Sequence, residues 1–238
     1  MADSKLLQIR SLLDKAESTP FPDEAEALTA KATELIAKYR VTEAQLEAAR
    51  PRQDRGEIDE HPVNLGKGPY VNARADLLYG IARAFGAQAL EVTRYDGKIG
   101  LIVAHEADFE RIEMLYTSLL VQAVNAARAE EIPTGEHGTS YRRAFLFSFA
   151  HVVAGRLREA NRDAVSAVDS DADTSVALVL VDREKAVSEW VNDKYPRLRS
   201  KRAPSAGSSV RGSLAGAAAG SEADIGSRQV GTQRAVSA

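Results

Sequence analysis

LEVTRYDGKIGLIV, from Leu90 to Val103, decides the fold class. Leu90 and Val92 alternate with polar neighbours on one side of Asp96 and Gly97, and Ile99, Leu101 and Val103 alternate on the other. A period of two on both sides of the dipeptide favoured by a type I′ turn predicts a β-hairpin. The flanks change period. Upstream, Leu77, Leu78, Ile81 and Phe85 recur at helical spacing and predict a helix over Asn72 to Phe85. Downstream, Phe109, Ile112, Leu115, Leu119 and Val124 predict a long helix from Glu106 to about Glu130, stopped by Pro133 and Gly135.

A further helix is predicted from about Ser140 to Val165. It is apolar nearly all round through Phe145, Leu146, Phe147, Phe149, Val152 and Val153, so its middle is expected to be buried. After the acidic run DSDAD (Asp169 to Asp173), SVALVLV up to Val181 reads as a buried third strand, because a short β-branched and aliphatic run suits one. A last helix is expected from Asp182 to Tyr195. Two paired strands, two helices, a strand and a helix do not alternate as βαβ units do, which argues for a helix-rich α+β domain with a small sheet of about three strands.

Towards the amino terminus, Leu6, Ile9, Leu13 and Ala16 predict a helix over Lys5 to Glu17, ended by Pro20 and Pro22. Asp23, with Glu26 three residues on, opens a second helix to about Tyr39, and Thr42 with Gln45 a short third one reaching Ala49. The first two are expected to form a helical hairpin. The stretch 50–68 is polar, contains prolines and glycines, and reads as a linker. The expected organisation is a hairpin module over 1–49, the linker, an α+β domain over 69–196 and a basic Gly/Ala/Ser-rich tail over 197–238.

QIRSLLDKAESTPFPDEAEALTAKATELIAKYRV, from Gln8 to Val41, resembles throughout the signature of a bacterial and phage family of unknown function, DUF2786. LYTSLL, YRRAFLFSFA, ALVLVDREKAV and KYPRLR, with the carboxy-terminal Gly/Ala repeat finishing ADIG, resemble versions found in actinobacteria and their phages. The resemblance implies an α+β region after the helical segment. It implies no activity and supplies no catalytic residue.

The chain has no cysteine, which removes disulfides, thiolate nucleophiles and Cys-based zinc sites together. No apolar stretch has the length of a signal-peptide core or a membrane span, so a cytoplasmic protein without membrane contact is expected. His105, Glu106 and Asp108 lie close together, but Phe109 stands where HExxH needs its second histidine, and the ordinary reading is an acidic helix start. His151 falls in the apolar helix and reads as a core histidine, and His61 and His137 fall in expected loops. Asp169, Asp171 and Asp173 begin like a calcium loop, yet Thr174 replaces its glycine and Leu180 its final glutamate. There is no nucleophile elbow and no phosphate or dinucleotide glycine loop, so no cofactor is expected.

Charge is the remaining signal. The net charge is −3, but Arg197 to Ala238 carries seven basic residues against Glu222 and Asp224, about +5, leaving about −8 elsewhere. RLRSKR (Arg197, Arg199, Lys201 and Arg202), Arg211, and Arg142, Arg143, Arg156, Arg158 and Arg162 of the long helix are the candidate polyanion contacts. Gly212, Gly216 and Gly220 place a smooth strip on one side of a helix that only a partner or the body could stabilise; otherwise the tail stays flexible. The expected role is an accessory or interaction protein contacting nucleic acid, with a protein partner or a second copy docking on the hairpin or the Gly/Ala tail. The alternatives are an enzyme whose site gathers dispersed residues such as His105, Glu106, Asp108 and His151, and a structural oligomer subunit.

Overall fold

The computed structural model describes residues 2–19, 24, 27, 28, 31, 32, 35, 36, 57–169, 176–199 and 206–225. In order, these form α1 (Ala2–Ser18), β1 (Ile58–Gly66), α2 (Val71–Ala84), β2 (Gln88–Arg94), β3 (Gly97–His105), α3 (Glu106–Ala129), α4 (Gly138–Asp169), α5 (Val176–Lys194) and α6 (Val210–Glu222). The described part is a helix-rich α+β structure around a three-stranded antiparallel sheet in the order β1-β3-β2. Among the described residues no helix is long and apolar enough to cross a membrane.

The hairpin forms, but its turn differs from the expected one. Arg94 pairs with Gly97, so the two loop residues are Tyr95 and Asp96, and neither has a positive φ. A type I′ turn requires positive φ at both. The unusual backbone is placed at Gly97 instead, with φ 149°, and a Cβ there would lie 2.7 Å from the Gly66 carbonyl oxygen. Glycine is needed both for the conformation and for the close approach of the β1 end.

Two expectations change. SVALVLV is not a strand: Val176 opens α5, which turns Val176, Val179, Val187 and Val191 inward and leaves Leu178 and Val181 exposed. The third strand is β1, inside the stretch read as a linker. Its sequence IDEHPVNLG is polar because β1 is an edge strand, where Pro62 is tolerated, and only Val63 and Leu65 are fully buried. His61 therefore lies on a strand.

The sheet is covered on both faces. Ile102 and Ala104 belong to the main core with Leu78, Ile81, Ile112 and Leu115 of α2 and α3, whereas Val103 packs with Val187, Val191 and Trp190 of α5. A Cβ at Gly100 would stand 2.4 Å from a Leu78 methyl, which shows how closely α2 approaches the sheet. α4 is apolar nearly all round because it is flanked on two sides. Gly80 of α2 rests against Ala154 on one side, and Gly212, Gly216 and Gly220 of α6 rest on the backbones of Tyr141, Phe145 and Phe149 on another. The matching steps of four make α4 and α6 run in the same direction with interlocked four-residue ridges. The glycine-rich segment thus finds its partner in the body itself.

At the amino terminus, the described positions between 24 and 36 are helical, and Thr19 donates to the Glu24 carboxylate at 2.6 Å. Ile9, Leu13, Ala32 and Ile36 join the main core, and Arg10 pairs with Glu110 of α3. The turn at 20–23, the short helix opening at Thr42, the end of the module and most of the acidic run after Asp169 lie outside the described residues.

Candidate functional site

The ten basic residues singled out in the sequence do not form one patch. Arg156, half-buried on α4, donates to the carbonyls of Gly220 and Ala223 and so caps the carboxy-terminal end of α6. A guanidinium suits that place, because the last carbonyls of a helix are unsatisfied and carry its negative end. Arg142 and Arg143 are half-buried, each with Nε shielded and without an acceptor. Arg158 and Arg162 are exposed, four residues apart on the distal part of α4, with exposed Glu159 and Asp163 between and beside them. Arg197, Arg199 and Arg211 are exposed; Lys201 and Arg202 lie outside the described residues.

The histidines and carboxylates are also dispersed. His105 occupies the N-cap of α3, with φ −65° and ψ 139°, and Glu106 and Asp108 are the acids of the first turn, as a helix start requires. Asp108 has a second role. It is 2% exposed and accepts from Arg111 at 3.0 Å and from Arg183 of α5 at 2.8 Å, one on each carboxylate oxygen. This buried triad fastens α5 to the start of α3. The triad is invisible in the sequence because Arg183 is 75 residues from Asp108, and no spacing links two charges that far apart.

His151 is exposed, contrary to its reading as a core histidine, and stands near Asp76 of α2. Burial raises the Asp76 pKa above the ordinary value of 3.8, outweighing the positive charges of His151 and Arg83. Tyr79, one turn on, has a buried hydroxyl without a partner, and burial together with the negative charges of Glu91 and Asp76 pushes its pKa upward. Lys98 bridges Glu91 at 2.9 Å and Asn72 at 2.7 Å. Asn72, Asp76, Tyr79 and Arg83 recur at steps of four, three and four, a polar stripe that was legible on α2 beside its apolar one. His61 pairs with Glu113 at 3.4 Å and lies against the Phe109 ring in a tilted contact with centroids 5.5 Å apart. Among the described residues no three His, Asp or Glu side chains gather in a way that could hold a metal ion.

Residues 6–43 match the family model of proteins of unknown function, DUF2786. The match takes in most of α1 and the described helical positions after it, among which Ile9, Leu13, Ala32 and Ile36 belong to the main core. The matched segment thus contributes apolar side chains to the common core. Comparison with curated proteins finds no match, and comparison with solved structures finds none either.

Proposed function

We propose that this is a non-enzymatic interaction protein that contacts nucleic acid through the cationic stretch following α5. What supports this reading is that Arg197 and Arg199 are exposed, have no ion-pair partner among the described residues, and belong to RLRSKR, where no acid offsets them. Phosphate recognition needs accessible positive charge along a surface, and a run of Arg and Lys supplies it without base readout. Arg158 and Arg162 are a weaker contribution, since Glu159 and Asp163 accompany them. Arg156 is removed from the set by its work at the end of α6.

The test is binding of duplex and single-stranded DNA and RNA across a salt series. Affinity should fall steeply with salt, and replacing Arg197, Arg199, Lys201 and Arg202 by Ala should flatten the slope by about 0.7–0.9 for each phosphate no longer neutralised. Absence of binding at low salt would remove the proposal.

A second reading, self-association, is favoured by Val210 and Leu214, which lie one turn apart on the outer face of α6 and are 71% and 67% exposed. The solution mass of the wild type against Leu214→Lys decides it.

A further inference from the structure

The tip of the β2–β3 hairpin carries an aromatic ring that the fold does not use. Tyr95 is 103% exposed, and its one ring contact among the described residues is with Lys67, whose Nζ lies 5.8 Å from the ring centroid. The turn does not ask for a tyrosine either: φ at position 95 is not positive, so any residue fits there. An aromatic side chain ordinarily contributes by burial, and this one buries nothing.

The ring stands on a fixed base among positive charges. Gly97, just after the turn, approaches the end of β1 so closely that a Cβ would lie 2.7 Å from the Gly66 carbonyl oxygen and 3.3 Å from Lys67 Cγ. Arg74 of α2 donates to the Lys67 carbonyl at 2.5 Å, and Lys98 is held by Asn72 and Glu91. The loop before α2 and the end of the hairpin are thereby held against each other. Lys67 and Arg94, on either side of the ring, are exposed and pair with no carboxylate among the described residues. Asp96 is the one exposed acid between Arg94 and Lys98.

An open ring face with cations beside it matches single-stranded nucleic acid, whose bases stack on aromatic rings while Lys and Arg follow the phosphates. A duplex keeps its base faces covered by their neighbours, and an acidic peptide would use the charges but leave the ring idle.

We propose that the hairpin tip binds single-stranded nucleic acid, with Tyr95 stacking on a base and Lys67 and Arg94 taking the adjacent phosphates. The tip is distinct from the cationic stretch after α5. That stretch begins beyond Tyr195, which donates to Glu60; Glu60 pairs with Val103, about 20 Å along β3 from Gly97.

The experiment titrates the full chain, at fixed low salt, into four fluorescent probes and reads anisotropy. The probes are a thymidine oligonucleotide of about 12 residues, an abasic backbone of the same length, a duplex of that length and polyglutamate. Tyr95→Ala should weaken the oligonucleotide by about fivefold or more, the loss of one stacked base, and leave the abasic backbone and the duplex unchanged. Tyr95→Phe keeps the ring and should bind as the wild type does. Both variants should unfold at the wild-type urea midpoint, because the ring lies outside the core. The inference is overturned by unchanged oligonucleotide affinity in Tyr95→Ala, by an equal loss on the abasic backbone, or by polyglutamate binding as tightly as the oligonucleotide. Each of these leaves the contacts after α5 standing if replacing Arg197, Arg199, Lys201 and Arg202 by Ala still weakens the duplex. An unchanged duplex affinity in that fourfold variant, with the Tyr95→Ala loss intact, would instead remove the contacts after α5 and keep the hairpin tip.

Discussion

Gly216 of α6 lies directly on the backbone of Phe145 in α4: a Cβ at position 216 would stand 2.1 Å from the Phe145 carbonyl oxygen. Alanine is favoured over glycine inside a helix by about 1 kcal/mol. Here the close approach outweighs that preference, because Phe145 is fully buried and its backbone cannot retreat. Gly216→Ala should destabilise by about 1–3 kcal/mol or more, through separation of α6 from α4. Gly155, on α4, is the control: a Cβ there meets nothing within 4 Å, so Gly155→Ala should stabilise by about 0.5–1 kcal/mol. Urea midpoints of the two variants should move in opposite directions, and a shift of the same sign in both would refute the packing account.

The same helix pair shows what sequence reading reached. The four-residue glycine spacing at 212, 216 and 220 announces a close-packing strip, and the all-round apolarity of Phe145 to Val153 announces a central helix; only the pairing of the two was not legible, since spacing names no partner. Helices α2, α3 and α4 and the hairpin carried their own periodicity, and the structure follows it. Val176 to Val181 failed because a run of six aliphatic residues carries no period, so strand and helix fit equally. β1 failed because an edge strand buries little: Val63 and Leu65 alone alternate inward, and Pro62 argues for a linker. The candidate sites were less legible than the fold. Arg156 looks like a surface cation until α6 is in place, and Asp108, Arg111 and Arg183 come together only when α5 is packed against the start of α3.

That triad makes a second prediction. Asp108 is the acceptor for two buried guanidinium groups, and removing it takes away the one carboxylate that both of them share. Asp108→Ala should cost about 3–5 kcal/mol, the range for breaking a buried ion pair from one side. Glu106→Ala, two residues away and exposed, should change stability by no more than about 0.5 kcal/mol. Denaturant unfolding of both variants checks this, and equal effects would mean that the triad is not the source.

Asp76 makes a prediction in pH. Its folded pKa is raised by burial, so the folded state binds the proton more tightly than the unfolded chain. The stability this provides is complete below 3.8, the unfolded value, and is lost as pH rises through the folded pKa. Asp76→Asn, which cannot ionise, should therefore be more stable than wild type at pH 7, with the difference shrinking as pH falls towards 3.8. Urea unfolding at a series of pH values measures it. A variant less stable than wild type at pH 7 would mean that His151 and Arg83 hold the carboxylate ionised and that burial is the smaller influence.

Arg156 separates a structural cation from a recognition cation. Its guanidinium satisfies the carbonyls of Gly220 and Ala223, the point at which α6 ends and Ile225 is inserted into the core. In Arg156→Gln those carbonyls lose a charged donor, a change of about 1.5–3 kcal/mol for hydrogen bonds of this kind. The loss should fall on the carboxy-terminal end of α6, where the freed carbonyls are the last of the helix. Amide exchange of residues 216–225 should accelerate about tenfold or more while that of β3 is unchanged, because local opening need not involve the sheet. The salt dependence of nucleic-acid binding should be the same as in the wild type. A flatter salt slope with normal amide protection of α6 would instead place Arg156 among the phosphate contacts and leave the end of α6 held by Asp224, whose backbone N–H donates to Gln122 at 3.2 Å.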